Sequence, residues 1–260
     1  MSCWMPPALE SLFFIEVDAD RIEDFGHGPP LKGPPPSDKE LAELDARTQG
    51  LGPWDWANID VMVVYTAAAR EWADSLGGGI DNAIGQAMAK VQLTLDNSDV
   101  LLSRTLVHAA ELDYVESGNT SLDLERLRFT HDGHMDEIHD WREEQGADLV
   151  VLFTRTGNAG GAACLPSVPH PNMGFSLTRI QNASGLIPIH EIGHNLGLHH
   201  HKEQNFQPGP GMFTYSAGWR WTGLNMNRYC SVMTYTSGSY FPDGLSHSQV
   251  AHFSNPGVYH

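Results

Sequence analysis

Apolar residues form short runs that alternate with stretches of helical spacing from residue 59 onward. Ile59–Tyr65 and Asp148–Thr154 are nearly continuous apolar runs, which is typical of strands buried on both faces. Between them, Ile80–Leu95 carries an apolar residue at every third or fourth position, and this spacing predicts an amphipathic helix. Leu101–Val115 is predicted as a second strand. Strands that alternate with helices in this way indicate an α/β (α+β) fold.

Shorter elements continue the pattern further along the chain. Leu122–Phe129 and Met135–Glu144 have helical spacing, and Met173–Thr178 has the short, mixed composition of an edge strand. Gly157–Gly161 lacks the Lys and Ser/Thr of a phosphate-binding loop, and we interpret it as a plain turn.

Residues 1–57 differ from the rest of the chain. Leu12–Val17 is a candidate strand, a Pro-rich linker follows between residues 28 and 36, and Asp38–Arg47 has a short helical pattern. We therefore expect an N-terminal extension or prosegment-like arm over residues 1–57 and a main domain over residues 58–260.

The overall charge narrows the range of partners. The chain carries a formal net charge of −17, so we expect no nucleic acid and no anionic membrane among its partners. No stretch of 18 apolar residues predicts a membrane span, and no signal-peptide pattern is visible at the start of the chain. The acidic surface suits a secreted protein, and we expect a monomer. Acidic loops offer calcium ligands, but no EF-hand pattern supports such a site.

The most specific chemical pattern is H-E-x-x-H-x-x-G-x-x-H, formed by His190, Glu191, His194, Gly197 and His200. His190 and His194 are four residues apart, so a helix places both on one face. Gly197 permits a positive φ that ends the helix and brings His200 back towards them. Three neutral nitrogens with an open fourth position are typical of one catalytic Zn²⁺, and Glu191 can act as a base on a water there.

A methionine about thirty residues after the third histidine, Met233, extends this pattern. Together they resemble the metzincin zinc endopeptidases, in which a Met-turn follows the histidine motif. Ile59–Thr66, Gly146–Leu152 and His252–Val258 also resemble segments of bacterial reprolysin-like and peptidyl-Asp metallopeptidase domains, in the same order.

The resemblance implies a metzincin (zincin-like) fold. Such a fold has a twisted mixed sheet with one antiparallel edge strand, a long active-site helix and a small irregular C-terminal subdomain. It divides the catalytic domain, residues 58–260, into an upper subdomain at about 58–197 and a lower subdomain at about 198–260. The implied activity is zinc-dependent endopeptidase chemistry on proteins or peptides, which bind in extended form along the edge strand. The alternatives are a latent form and a catalytically silent binding module.

Two residues acquire roles from the same resemblance. Met233 would form an apolar floor beneath the metal ligands. Tyr235 would donate a hydrogen bond to the transition-state oxyanion, and its alternative role is that of a packed aromatic side chain.

The three cysteines allow two further hypotheses. Cys164 and Cys230 both fall in segments expected around the active site, so we consider a disulfide between them in an oxidising compartment. Cys3 is left over. It is either a latency thiol that occupies the open zinc position or a loose terminal thiol.

The remaining histidines need separate interpretation. His131 and His134 form either a second metal site or, as we favour, part of a polar loop. His199 and His201 flank the third ligand, but the spacing of the motif favours His200.

The substrate preference is open at this stage. Arg220 and Arg228 are candidates for binding an acidic substrate side chain, which would match a peptidyl-Asp preference. Surface or structural roles are equally consistent with their positions.

Overall fold

A computed structural model describes residues 31–32, 56–76 and 78–255. Cys3 and the candidate elements at 12–17 and 38–47 lie outside the described residues. In chain order the elements are β1 (Leu31–Lys32), β2 (Ala57–Thr66), α1 (Ala67–Ser75), α2 (Gly79–Asn97), β3 (Leu102–Leu112), α3 (Thr120–Arg128), α4 (Glu137–Gln145), β4 (Leu149–Thr154), β5 (Gly161–Leu165), β6 (Phe175–Arg179), α5 (Ile187–Asn195), β7 (Arg220–Thr222), β8 (Arg228–Cys230) and β9 (Ser248–Gln249).

The main sheet is mixed and has the strand order β1-β5-β6-β4-β2-β3. Strands β3, β2, β4 and β6 are parallel to one another, whereas β5 is antiparallel to β6. The short β1 pairs in parallel with the outer side of β5. The predicted mixed α/β fold with one antiparallel strand at its margin is therefore confirmed.

The identity of that marginal strand was predicted wrongly. Met173–Thr178 was expected to be the edge strand, but β6 lies inside the sheet between β4 and β5. Its mixed composition has another cause, because Phe175 and Leu177 face one core while Ser176 and Thr178 are buried on the opposite face. The antiparallel strand is β5, a short run of small residues that begins where a plain turn was expected.

Successive side chains of β2 point to opposite faces of the sheet, and helices cover both faces. Val61 and Val63 pack with α1, α2 and α5, whereas Met62 and Val64 pack with α3 and α4. All four side chains are almost fully buried. Burial of each contributes about 1.5–3 kcal/mol, so the apolar run fixes β2 as a central strand.

The helices follow from the sequence with one exception. α2 buries Ile80, Ile84 and Leu95 on one face, as the apolar spacing predicted. α1 was not predicted, because only Ala69 and Ala73 are buried on it and alanine gives a weak apolar stripe. Its start is nevertheless marked in the sequence, since the Thr66 hydroxyl caps it by accepting a hydrogen bond from the Ala69 amide at 3.1 Å.

The lower part of the chain, which is the described segment after α5 (residues 196–255), is irregular. Its regular structure, in the described residues, is a small sheet in the order β7-β8-β9, together with one turn of 3₁₀ helix at Gly238–Tyr240. The active-site helix was expected to be long, but α5 has nine residues, because the chain turns at Gly197 directly after it. The helix packs across β5 and β6. Across the described residues, no helix is both long and apolar enough to cross a membrane.

Candidate metal centre and active site

Three histidine side chains meet below the main sheet. His190 and His194 lie on α5, and His200 follows in the loop after it; all three are buried. Their candidate ligand atoms lie within 4.8 Å of one another. The Nε2 atom of His200 is 3.2 Å from the Nε2 atoms of both His190 and His194. Nitrogens at zinc–ligand distances of about 2.0–2.1 Å in a tetrahedron are separated by about 3.3 Å, so this spacing fits a single metal ion.

Backbone carbonyl groups orient each imidazole ring. The Nδ1 atoms of His190, His194 and His200 donate to the carbonyl oxygens of Val232, Leu198 and Gln207 at 2.7, 2.8 and 2.9 Å. A proton held on Nδ1 leaves the lone pair of a neutral ring on Nε2. Three such lone pairs converge on one point, and a cation there relieves their mutual repulsion. The donor set therefore fits a metal ion.

The turn after α5 makes this convergence possible. Gly197 has a φ of +86°. Its amide donates to the carbonyl of His194, and the amide of Leu198 donates to the carbonyl of Gly193, both at 2.9 Å. These two bonds form a Schellman motif, which ends the helix and reverses the chain. The third histidine can therefore approach the first two from below.

The neighbours of His200 have other partners. The amide of His200 donates to Nδ1 of His199 at 2.8 Å, and His199 forms a β-bridge with Ala217. The ring of His201 packs against Trp219 and Phe241. Of the three consecutive histidines, the structure therefore groups only His200 with His190 and His194 as potential metal ligands.

The carboxylate of Glu191 is held against the main sheet. The side chain is 1% exposed and lies directly beside Gly161, the first residue of β5. It belongs to the same helix as His190 and His194. A buried carboxylate on the helix that carries two of three convergent nitrogens is suited to proton transfer at a metal-activated water.

Met233 lies on the opposite side of α5 from the sheet. It is 1% exposed, and its sulfur occupies the space next to Gly193, where an added Cβ atom would lie only 2.5 Å from it. The turn that contains it is closed by a 3.0 Å hydrogen bond from the Thr234 amide to the Ser231 carbonyl. Met233 thus packs under the helix that carries two of the histidines.

Tyr235 lies beside the histidine cluster. Its ring centroid is 4.7 Å from that of His200, and its hydroxyl donates to Oε1 of Gln207 at 3.4 Å. Its amide is 3.3 Å from Oε1 of the buried Gln204. Sequence reasoning missed both glutamines, because they lie in a loop without a motif. Gln207 acts through its backbone carbonyl and its side-chain amide, and Gln204 acts through its side-chain amide.

Asn195, the last residue of α5, was also missed. Its side-chain Nδ2 lies 2.9–3.0 Å from the carbonyl oxygens of Cys164, Met173 and Phe175. These contacts attach the end of the helix to β5 and β6. The one signal in the sequence was a polar residue directly after the second histidine of the motif.

The predicted disulfide is wrong. Cys164 and Cys230 are both free and buried. Cys164 packs in the core formed with α3 and α4, whereas the Cys230 sulfur contacts carbonyl oxygens of Thr234 and His247 in the lower part of the chain. Burial raises the pKa of both thiols to about 12. Each cysteine therefore serves as a small apolar core residue.

The Arg220 side chain is nearly buried and contacts several neighbouring residues. It is 8% exposed, and its guanidinium lies 3.7 Å from the ring centroid of Phe241. It donates to Asp243 and to the carbonyl of Leu245. These contacts favour the structural alternative for this arginine, while Arg228 is exposed on β8.

The loop with His131 and His134 gains no support as a metal site. Asp136 accepts hydrogen bonds from the amides of His131 and Gly133, which organises a polar turn. Within residues 31–32, 56–76 and 78–255, the cluster of His190, His194 and His200 is the one group of three or more potential ligand side chains close enough to hold an ion.

The fold combines a mixed sheet with three clustered histidines, two on α5 and one in the loop that follows it. This is a metzincin-type architecture. The family described as metallo-peptidase family M12B, reprolysin-like, matches residues 63–201, which include Glu191 and all three histidines. The chain belongs to this reprolysin-like metallopeptidase family.

Curated relatives agree with this assignment. A protein of Stenotrophomonas maltophilia (strain R551-3) named peptidyl-Asp metalloendopeptidase is 30% identical over 204 residues, which are 78% of this chain and 46% of that protein. A protein of the same name from Pseudomonas aeruginosa is 28% identical over 76% of this chain and 34% of its own length. The chain thus spans about half the length, or less, of these relatives.

A solved structure shows the same fold. A chain in a structure described as a chaperone–substrate complex superposes with a TM-score of 0.57 at 18% sequence identity. The match covers 79% of this chain and 31% of the other.

Proposed function

We propose that this chain is a zinc-dependent endopeptidase that hydrolyses peptide bonds of proteins, with Glu191 as the general base. The observation that carries the proposal is the convergence of the Nε2 atoms of His190, His194 and His200, together with a buried glutamate on the helix that holds the first two. Membership of a metallopeptidase family supports it.

The three histidines would hold the ion through Nε2. A zinc ion bound there would polarise the scissile carbonyl and lower the pKa of a water molecule toward about 7. The carbonyl groups of Val232, Leu198 and Gln207 keep the rings oriented, so the metal-free geometry already matches that donor set.

Glu191 and Tyr235 would carry out the remaining steps. The Glu191 carboxylate takes one proton from the attacking water and delivers it to the nitrogen of the leaving amine as the C–N bond breaks. The Tyr235 hydroxyl, now directed at Gln207, would turn to donate to the carbonyl oxygen as it becomes negatively charged. Met233 would pack against α5 and keep a fixed separation between this helix and the turn that contains Met233.

The substrate would lie in extended form along β5. This strand runs antiparallel to its inner neighbour, and its outer side already accepts the two residues of β1 as a pairing strand. A peptide that adds to such an edge is held by main-chain hydrogen bonds, which do not depend on its sequence. The relatives' name supports a further proposal, a preference for bonds next to aspartate, although the buried contacts of Arg220 do not supply the cation for it.

The β1–β5 pairing also favours a second candidate, a latent form. In it the N-terminal extension, residues 1–57, covers the groove of the catalytic domain, residues 58–260. Removal of residues 1–57 would then raise the rate of casein hydrolysis, and an unchanged rate would count against latency.

A direct assay tests the main proposal. We expect the purified chain to hydrolyse casein, to stop when a zinc chelator is added and to recover when Zn²⁺ is restored. A folded, zinc-loaded chain without hydrolytic activity would favour the silent binding module instead. Cleavage-site profiling of a peptide library by mass spectrometry would show whether acidic residues are preferred. Culture fractionation and sedimentation would test the expectation of a secreted monomer.

A further inference from the structure

The backbone conformation at Gly161 does not require glycine. It is the first residue of β5 and pairs with Thr178 of β6 in antiparallel register. Its φ lies outside the left-handed region, unlike that of Gly157 in the preceding loop, which is +153°. Glycine in the interior of a strand is less favourable than alanine, because it loses more backbone entropy on folding. The residue at this position therefore requires another explanation.

The explanation is the close approach of α5. A Cβ atom built on Gly161 would lie 2.5 Å from Oε1 and 2.9 Å from Cγ of Glu191, and 2.8 Å from Cγ2 of Ile187. Separations under 3.0 Å are essentially never found for real Cβ atoms. The Glu191 side chain is 1% exposed, so it has little free space into which it can move. The Glu191 carboxyl group therefore occupies the volume that any side chain at position 161 would need.

We propose that Gly161 is the positioning residue for Glu191. Its missing side chain leaves a slot in the first residue of β5, and this slot fixes the carboxyl group between the sheet and the histidine cluster. The inference rests on the proposed function, because it assigns Gly161 to the placement of the general base. β5 is also the strand along which the substrate would lie, so the same slot sets the carboxyl group beside the path of the scissile bond.

Gly161→Ala tests the inference by kinetics. We expect kcat to fall by about 10²-fold, since a displacement of about 1 Å in a reacting group costs that much. KM and the affinity for zinc should stay within about twofold, because the three atoms nearest to an added Cβ atom belong to Glu191 and Ile187 and not to the histidines. Gly85→Ala is the matched control, since a Cβ atom there meets nothing within 4 Å, and its activity should equal that of the wild type.

A thermal-unfolding cycle on the metal-free protein gives a readout that does not depend on activity. Gly161→Ala should lower Tm by about 3 °C or more in the wild-type background. The loss should shrink in a Glu191→Ala background, because the overlapping carboxyl group is gone, while the close approach of Ile187 Cγ2 remains. An equal loss in both backgrounds would show that the glycine serves packing alone and would overturn the inference.

The two proposals can fail separately. A zinc-loaded wild-type chain without peptidase activity overturns the proposed function, and the positioning role is lost with it. An active wild-type chain combined with a fully active Gly161→Ala variant overturns only the positioning role.

Discussion

The Nδ1 atom of His190 donates to the carbonyl oxygen of Val232 at 2.7 Å, although 42 residues separate the two in the chain. The next residue, Met233, packs its sulfur beside Gly193 on the same helix. The turn at Val232 and Met233 therefore contacts α5 through a hydrogen bond to the His190 ring and through an apolar contact one helical turn later. The orientation of the His190 ring depends on this turn as much as on the helix.

Met233→Ala should therefore destabilise the metal-free protein. Removal of a buried methionine side chain leaves a cavity under α5, and the expected loss in the free energy of unfolding is about 2–5 kcal/mol. Urea unfolding of the metal-free protein measures it. Met226→Ala is the control, because Met226 is 80% exposed and its replacement should change stability by no more than about 0.5 kcal/mol. Equal effects of the two variants would contradict the packing role of Met233.

Glu191→Gln should separate metal binding from catalysis. The amide keeps the size of the side chain but cannot accept a proton, so we expect peptidase activity to fall by about 10²–10⁴-fold. Zinc content should remain at one ion per chain, since the three ligands are untouched. Glu203→Gln, at an exposed position close in sequence to the cluster, should keep full activity. Retained turnover in zinc-loaded Glu191→Gln would refute the assignment of the general base.

Tyr235→Phe should lower kcat and leave KM nearly unchanged. If the hydroxyl donates to the oxyanion only in the transition state, its removal costs about 10²–10³-fold in rate. The ring and its contact with His200 are kept, so zinc affinity should not change. Tyr240→Phe is the control, because its ring lies 4.8 Å from that of Tyr235 but it has no proposed catalytic role. A loss of zinc affinity in Tyr235→Phe would indicate a structural role instead.

Much of the fold could be predicted because its strongest signals are local. The apolar run of β2 and the helical spacing of α2 are properties of consecutive residues. By contrast, β5 consists of small residues with little apolar bulk, and its position at the margin of the sheet results from its pairing with β6. This pairing joins residues 13 to 17 positions apart across a loop, and the residue types of the two strands do not specify it.

The same distinction applies to the site. The spacing of His190, His194 and His200 is encoded within eleven residues, and the structure brings these three together. Gln207 could not be predicted, because it orients His200 through a backbone carbonyl that any residue type possesses. The disulfide between Cys164 and Cys230 was wrong for a related reason. Both cysteines fall in segments expected around the active site, but this does not establish that their side chains meet.

His200→Ala should remove metal binding. Loss of one of three nitrogen donors should weaken zinc affinity by more than the 10–100-fold that is typical of changes to residues that only support a ligand. Competition with a fluorescent zinc chelator measures the affinity. His131→Asn is the control, because this exposed residue has a φ of +64°, which asparagine tolerates, and it lies outside the cluster. An equal loss in both variants would show that the polar loop contributes to metal binding.

Cys164 and Cys230 should resist alkylation in the folded protein. Because burial raises the pKa of both thiols from 9.0 to about 12, almost no thiolate is present at pH 8. Treatment with iodoacetamide followed by site-resolved mass spectrometry should leave both residues unmodified until guanidinium is added. A peptide pair linked through these two cysteines in a non-reduced digest would contradict their assignment as free thiols.

The same pKa shifts predict how stability depends on pH. The folded state keeps both thiol protons at a pH where the unfolded chain has already lost them, so the stabilisation is fully present below about pH 9 and is lost as pH rises toward about 12. Denaturant unfolding between pH 8 and pH 11 should therefore show a decrease that becomes smaller in Cys164→Ala when each variant is compared with its own value at pH 8. An identical decrease in that variant would mean that other groups cause the alkaline loss, and that the buried thiol of Cys164 has no part in it.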